Sequence, residues 1–274
     1  MATRIVQSKQ NARVKELRSA LQRPGKADSS TVAIEGIHLL AEAVRSGLSL
    51  DAIFIEQGHE NLLHELGFRS PALDSMEVLA LPAEVLASAV STESPQPIAA
   101  LGRPKQWSWS CLIQSASSGA PLIVVLAGIQ DPGNLGTILR STEAFGASGV
   151  VLLPGTVTPW NPKAVRASAG SVFRLPVLAA SPEECFRQLR AAKIATLAAM
   201  AHDAEPLGQV DLSAPVALFI GSEGGGLPPE IASLCDARIT IPCPGPVESL
   251  NAAVAASVLL YEASRQRSQT RGRP

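Results

Sequence analysis

The sequence has few of the residues that build metal sites and disulfide frameworks. Its four cysteines and four histidines are scattered along 274 residues, and no two cysteines form a CxxC pair. This usage is expected in a reducing cytoplasm and argues against a bound metal. No segment approaches the ~20 consecutive apolar residues of a membrane-spanning helix. The first residues lack the apolar stretch of a secretory signal, so we expect a cytoplasmic protein without a membrane partner.

Aromatic residues are also scarce, at 4 % of the chain, and the net charge is only −1. The charge is unevenly distributed, however. Residues 1–30 carry seven Lys or Arg against two acids, and residues 263–274 carry four Arg and no acid, so the middle of the chain is acidic. Basic ends can contact RNA phosphates because local potential, rather than total charge, attracts a polyanion. The alternative is that these charges only solubilise flexible ends.

Alternating strand-like and helix-like segments in the first half predict a small α/β domain over residues 1–100. It begins with a basic amphipathic helix over 1–24, in which Val14, Leu17 and Leu21 recur at helical spacing. Strands are predicted at 31–35, 51–55 and 78–81, and helices at 38–46 and 82–90. Residues 101–120, which mix Pro, Ser, Gly and Trp, are predicted to be an interdomain linker.

The second half begins with a continuous apolar run at 122–126, typical of a strand buried on both faces of a parallel sheet. Further strands are predicted at 150–153, 195–199, 216–220 and 238–241, with helices at 134–145, 162–169, 182–192, 228–235 and 249–266. This alternation predicts an α/β domain over 121–268, a mostly parallel sheet flanked by helices, followed by a basic tail at 269–274.

Three segments rich in Gly or Pro each follow a predicted strand, at the edge where open α/β sheets bind ligands. They are residues 131–140 (DPGNLGTILR), 220–230 (IGSEGGGLPPE) and 241–251 (IPCPGPVESLN). Asn134 is a predicted helix N-cap, and Ser249 is predicted to open the last helix. The second segment is not a phosphate-binding loop because no Gly-Lys-Ser/Thr follows, and Glu223 suits a cationic sulfonium better than a phosphate. Each segment alone could equally be an ordinary capped turn.

Together, the order and spacing of the three segments resemble the SpoU (TrmH-like) branch of the SPOUT RNA methyltransferases. The resemblance is strong over about 121–267. It implies ribose 2′-O-methylation with S-adenosyl-L-methionine, a homodimer whose active sites each use an arginine of the other subunit, and a C-terminal trefoil knot. It implies a catalytic group of Asn134, Arg140, Glu223, Ser249 and Asn251, and a cofactor pocket lined by Gly221, Ile241 and Leu250.

The first hundred residues are similar, more loosely, to the ribosomal-protein-like RNA-binding domain that many members of this branch carry. The similarity is carried by residues 5–17 and 33–43. Members with this domain mostly modify large-subunit ribosomal RNA, and others act on transfer RNA, so the resemblance favours ribosomal RNA as the partner. The scarcity of aromatic residues favours recognition of RNA shape and phosphates over base stacking.

The role of Arg140 and the activity itself leave alternatives open. In the family this arginine is often described as a general base, but a guanidinium stays protonated at physiological pH. Binding the phosphate next to the target and stabilising the developing alkoxide is the more conservative role. A non-catalytic RNA-binding or ribosome-assembly protein on the same fold is disfavoured by the complete catalytic group. A nucleotide-binding oxidoreductase is disfavoured by the absence of a dinucleotide fingerprint.

Overall fold

The chain folds into two compact units that do not follow the order of the sequence. The computed structural model describes residues 3–24, 31–68, 76–90, 92, 94–114, 119–247 and 249–271. The first unit comprises Met1–Gln106 and Thr158–Arg174, and the second comprises Trp107–Val157 and Leu175–Pro274. Residues 158–174, which we expected in the second domain, therefore group with the first unit. Residues 272–274 of the predicted basic tail lie outside the described residues.

The first unit is built on a five-stranded mixed sheet with the strand order β1-β4-β3-β5-β2. Its strands are β1 (Arg4–Ile5), β2 (Val32–Glu35), β3 (Ser49–Glu56), β4 (Glu77–Leu81) and β5 (Ile98–Arg103). β5 pairs antiparallel with β2 and β3, whereas β1, β4 and β3 are parallel. Because β5 continues to residue 103, the strand crosses the expected domain boundary at residue 100.

The helices of the first half are α1 (Ala12–Gln22), α2 (Ile37–Arg45), α3 (Asn61–Glu65) and α4 (Ala83–Ala87). The predicted helix over 1–24 was too long. Residues 4 and 5 form β1, and Asn11 caps α1 by accepting a hydrogen bond from the Arg13 N–H at 2.9 Å. An Asn side chain satisfies one of the unpaired N–H groups of a first helical turn, so the helix begins there. The expected buried stripe of Val14, Leu17 and Leu21 is confirmed.

The second unit contains a seven-stranded sheet with the order β10-β12-β9-β11-β6-β7-β8, and every neighbouring pair is parallel. The strands are β6 (Leu122–Ala127), β7 (Gly149–Leu152), β8 (Val177–Ala179), β9 (Ala195–Ala199), β10 (Glu205–Pro206), β11 (Val216–Gly221) and β12 (Ala237–Thr240). The prediction of a mostly parallel sheet is confirmed. β8 and β10 were missed because two or three residues are too few to show a period.

Six further α-helices follow in the described part of the chain, besides short 3-10 turns at Ser171–Phe173 and Leu207–Gln209. They are α5 (Trp109–Gln114), α6 (Pro132–Ala144), α7 (Pro162–Ala167), α8 (Pro182–Ala191), α9 (Pro229–Ala232) and α10 (Ala252–Arg271). The predicted linker at 101–120 thus contains the end of β5 and a helix. In the core of the second unit, the rings of Phe186 and Phe219 stack with centroids 4.9 Å apart. None of the helices in the described ranges is long and apolar enough to span a membrane. The trefoil knot stays a prediction.

Candidate functional site

One side chain from each of the three segments meets the others in a small hydrogen-bond network. Asn134 Nδ2 donates to Glu223 Oε1 at 2.6 Å, and Asn251 Nδ2 donates to the same oxygen. Asn251 Nδ2 also lies 3.2 Å from Asn134 Oδ1. These residues are far apart in the sequence and come together because the loops that carry them leave the same edge of the parallel sheet. The structure therefore joins three of the five predicted catalytic residues.

The start of α6 explains why the Asn134 side chain reaches Glu223. We expected Asn134 to be the N-cap, and that was wrong. Asp131 holds the position, and its Oδ1 accepts a hydrogen bond from the Asn134 N–H at 2.9 Å. Pro132 occupies the first helical turn, where its missing N–H costs nothing. Because Asp131 performs the capping, the amide side chain of Asn134 is available to the neighbouring loop.

The loop after β11 folds back on itself, and this explains its first glycine. The Ser222 N–H donates to the Gly226 carbonyl at 3.1 Å, and the Gly226 N–H donates to the Ser222 carbonyl at 2.9 Å. A Cβ at Gly221 would lie only 2.0 Å from the Gly226 carbonyl carbon. The close approach of its own chain is thus enough to require glycine at position 221. The turn places Glu223 at an exposed tip.

The last helix begins at a different residue from the one we predicted. Ser249 was expected to open it, but α10 starts at Ala252, and Asn251 is the capping residue. Asn251 Oδ1 accepts hydrogen bonds from the N–H groups of Ala253 at 3.0 Å and Val254 at 3.2 Å. An amide can cap with its oxygen and donate with its nitrogen, so Asn251 also reaches Glu223. A serine hydroxyl would provide only one short donor.

A cavity of about 840 Å³ opens between the loops that follow β9, β11 and β12. Five predicted site residues line it: Gly221, Glu223, Ile241, Ser249 and Leu250. Apolar side chains of β11, β12 and α10 form much of its wall, and Asn134 and Asn251 adjoin it through Glu223. The volume lies within the range of small-molecule sites, ~300–1,000 Å³.

Sequence reasoning missed one wall of the cavity, residues 199–203 after β9. His202 and Asp203 are its polar members, and Asp203 adopts a left-handed backbone conformation with φ at 53°. The signal was available, because this segment follows a predicted strand of the same parallel sheet. It carries no Gly or Pro, however, and therefore did not stand out as a loop.

Arg140 is the predicted catalytic residue that the structure leaves apart. It is exposed on α6, does not line the cavity, and makes no hydrogen bond or ion pair with any residue in the described ranges. α6 packs against α10, where Ser141 and Ser257 share a hydrogen bond of 2.7 Å. On α10, Val254 and Tyr261 remain 49 % and 56 % exposed.

The sequence matches two known families. Residues 121–261 match the SpoU rRNA Methylase family, which accounts for half of the chain. The chain belongs to the SpoU rRNA methylase family. Residues 11–100 match the MRM3-like substrate binding domain. The SpoU match includes residues 158–174, although these residues fold with the first unit.

Relatives from this family match nearly the whole chain. A tRNA/rRNA methyltransferase of Synechocystis, itself uncharacterised, is 34 % identical over 95 % of this chain and 93 % of its own length. The 23S rRNA (guanosine(2553)-2′-O)-methyltransferase RlmP of Bacillus subtilis is 28 % identical over 93 % of this chain and 97 % of its own. The crystal structure of the SpoU methyltransferase AviRb from Streptomyces viridochromogenes with AdoMet covers 94 % of this chain and 98 % of its own, with a TM-score of 0.84 and 28 % identity.

The thiols divide into three environments. Burial raises the pKa of Cys185 and of Cys235 to about 12, whereas the hydrogen bond with Ser108 lowers the pKa of Cys111. Cys243 lines the cavity. Among the described residues, no group of three or more His, Cys, Asp or Glu side chains could hold a metal ion.

Proposed function

We propose that the protein methylates a ribose 2′-hydroxyl of RNA with S-adenosyl-L-methionine as the methyl donor, and that its substrate is large-subunit ribosomal RNA. The Asn134–Glu223–Asn251 network at the mouth of the cavity is the observation that carries the proposal. It brings the three family segments together beside a pocket of cofactor size. Membership of the SpoU family supports the reaction, and the RlmP relative supports the choice of RNA. A cytoplasmic enzyme is expected.

The lining of the cavity fits S-adenosylmethionine. Ile220, Ile239 and Leu259 give it an apolar wall that suits an adenine ring, and the exposed backbone of the loop after Gly221 offers hydrogen-bonding groups. The carboxylates of Asp203 and Glu223 at the rim complement a cofactor that carries a sulfonium and an ammonium group. Ile241 and Leu250, which also line the cavity, are the residues that we assign to the adenine.

The cofactor supplies a methyl group on a good leaving group. The protein must therefore align the ribose 2′-hydroxyl oxygen with that methyl group and help to remove the hydroxyl proton. The two amide donors fix one oxygen of the Glu223 carboxylate. Its other oxygen, to which no residue in the described ranges donates, is then available to accept the hydrogen bond of the ribose hydroxyl. This arrangement would orient the hydroxyl oxygen, and the carboxylate would accept its proton as the new C–O bond forms and the bond between the methyl carbon and the cofactor sulfur breaks.

We assign Arg140 to the active site of a second copy of the chain. Its guanidinium has no partner in the described part of its own chain and lies outside its own cavity. α10, which packs against α6, presents Val254 and Tyr261 to solvent, and burying these side chains would stabilise a dimer. A guanidinium delivered across that interface would bind the phosphate beside the target ribose and stabilise the developing alkoxide.

Mixing two inactive variants tests this assignment. Arg140→Ala and Asn134→Ala should each lose transfer. If Arg140 acts across the interface, a mixed dimer contains one intact site, because the intact Arg140 comes from the subunit that lacks Asn134. Half of the dimers formed at random are mixed, so about a quarter of wild-type activity should return after the two variants are denatured and refolded together.

The control is a mixture of Asn134→Ala and Glu223→Gln, two changes on the same side of the interface. Neither site of that mixed dimer is intact, so no activity should return. If the Arg140→Ala mixture also stays inactive while sedimentation shows dimers, Arg140 does not act in trans. A monomer at micromolar concentration would overturn the dimer itself.

The substrate is tested by mapping ribose methylation in total RNA from cells with and without the gene. One site lost from large-subunit ribosomal RNA, and restored by the purified enzyme with S-adenosylmethionine, is the expected result. A site lost from transfer RNA would change the substrate and leave the reaction intact. No lost site, together with no methyl transfer in vitro, would favour the non-catalytic RNA-binding alternative.

A further inference from the structure

Residues 158–174 connect β7 to β8 along the sequence, yet they belong to the first unit. Within this segment, α7 contacts β2, which is an edge strand of the five-stranded sheet. All four residues of β2 are buried, although edge strands commonly remain open on one side. The segment is therefore an integral part of the first unit that covers one edge of its sheet.

Several contacts fix this segment against α2. Arg174 Nη1 donates to Glu42 Oε2 at 2.6 Å, and the two side chains are 35 % and 18 % exposed. A Cβ at Gly170 would lie 2.7 Å from the Glu42 Cβ, so the backbone passes directly over the glutamate. Trp160 stacks on Phe173 with ring centroids 6.2 Å apart. Side chains on the outer face of α7 consequently have a defined position on the first unit.

The outer face of α7 and the end of α2, which Gly170 and Arg174 join, both carry cations. α7 buries Ala164 and Val165 and exposes Lys163 and Arg166, which lie one turn apart. Residues 158–174 contain no acid. At the end of α2, Arg45 pairs with Glu42, and Lys105 Nζ donates to the Ser46 carbonyl at 2.6 Å. Together with Lys105, residues 37–46 and 158–174 contribute five cations, Arg45, Lys105, Lys163, Arg166 and Arg174, and one acid, Glu42.

We propose that this α2–α7 surface, defined by those six residues, binds phosphates of the RNA substrate. The inference rests on the proposed function and identifies where on the first unit the RNA lies. Exposed ion pairs are worth little, so a phosphate can compete with Glu42 for Arg45, which is 65 % exposed. Arg166 forms no ion pair in the described part of the chain, so it can bind a phosphate without losing one. The guanidinium fork of arginine matches phosphate geometry.

The competing location is the basic N-terminal region. α1 packs on the face of the sheet that carries Ala33 and Phe54, in a cluster that contains none of the buried residues of α2. Lys9, Lys15 and Arg23 therefore belong to α1 or flank it, on the face of the sheet that does not carry α2. RNA bound through these residues would depend on their charges rather than on Arg45, Lys163 and Arg166.

The test compares three triple variants of the full-length protein. The test variant is Arg45→Gln with Lys163→Gln and Arg166→Gln, and the second removes the charges of Lys9, Lys15 and Arg23 in the same way. The control, Arg187→Gln with Arg190→Gln and Lys193→Gln, removes three exposed charges from and beside α8 in the second unit. Binding of a bacterial 23S ribosomal RNA transcript is measured from low to high KCl, and cofactor affinity is measured by calorimetry.

For the test variant we expect the slope of log affinity against log salt to fall by about 2 units, since each lost phosphate contact removes roughly 0.7–0.9. Cofactor affinity should stay within twofold of wild type for all three proteins. A slope equal to that of the control overturns the proposal, and a loss confined to the α1 variant moves the RNA to the other side of the sheet. Wild-type protein that neither binds the transcript nor methylates RNA would instead refute the proposed function.

Discussion

Both units carry ion pairs at the surface, but among the described residues only the second unit buries an arginine. In the first unit, charges pair with one another at the surface. Arg13 bonds Glu77 at 2.8 Å, and both side chains are about one-third exposed, 38 % and 30 %. In the second unit, the buried Arg267 has no acidic hydrogen-bond partner in the described ranges and donates to backbone carbonyls, while Glu223 accepts from two amides. A weak surface pair such as Arg13–Glu77 can therefore open to a phosphate, whereas the buried Arg267 stays bound to its carbonyls.

The largest effect is expected in the second unit, at the Glu223 carboxylate that accepts hydrogen bonds from Asn134 and Asn251. Asn134→Ala removes a donor to Glu223 and should lower kcat by about 10²–10³, as loss of one preorganised active-site donor does. Cofactor affinity should remain within a few-fold, because Asn134 does not line the cavity. Single-turnover methyl transfer and calorimetry measure the two quantities.

Thr137→Ala is the matched control. Thr137 is exposed one turn further along α6 and bonds only the Gly133 carbonyl within its own helix. It should retain transfer within a few-fold. Equal losses in both variants would mean that the effect comes from the helix and not from the network.

Buried and exposed arginines should differ in their contribution to stability. Arg267 is 8 % exposed and bonds the carbonyls of Ala120, Pro121, Leu212 and Ala214. Arg267→Ala leaves these acceptors without their donors and should cost about 3 kcal/mol of the free energy of unfolding. Arg265→Ala, two residues earlier, breaks only a partly exposed pair with Glu262 and should cost under ~1 kcal/mol. Urea denaturation of both variants measures the difference, and similar losses would contradict the comparison.

Much of the second unit could be predicted from the sequence because its signals are local. The apolar runs that became β6 and β11 are buried along their whole length. The loops after the parallel strands had to share one edge, which placed Gly221, Glu223 and Asn251 together. The capping residue of α6 was harder to identify, because Asp and Asn both make good N-caps. The structure shows that Asp131 caps the helix, which leaves the Asn134 side chain to donate to Glu223.

The arrangement of the first unit depends on contacts between distant positions, which a single sequence does not reveal. Arg174 meets Glu42 across 132 positions, and Arg13 meets Glu77 across 64. No local pattern assigns residues 158–174 to this unit. Deleting residues 1–100 would therefore strip the packing partners from α7, so point variants are the better test of RNA binding.

A glycine substitution in the loop after β11 should have a smaller effect, on cofactor affinity, and it tests backbone packing rather than catalysis. Gly221→Ala would place a methyl group 2.0 Å from the Gly226 carbonyl carbon, so the loop must move. Overpacking of this kind costs about 1–3 kcal/mol, which corresponds to a loss of cofactor affinity of about fivefold to 150-fold if the whole cost falls on the binding-competent loop. Gly224→Ala, where a Cβ meets nothing within 4 Å, is the control and should bind normally. Equal affinities in calorimetry would remove Gly221 from the cofactor pocket.

The smallest effect expected is a change in the alkylation of one thiol. Iodoacetamide at pH 8 reacts with thiolates, so Cys185 and Cys235, whose pKa values burial raises to about 12, should stay unmodified in the folded protein. Cys111, whose pKa the Ser108 hydrogen bond lowers, should react at a rate that S-adenosylmethionine does not change. Cys243 lines the cavity, so bound cofactor should slow its reaction several-fold, as followed by peptide mass spectrometry. Protection of Cys111 and Cys243 to the same extent would indicate a general tightening of the second unit, and no protection of Cys243 would place the cofactor elsewhere.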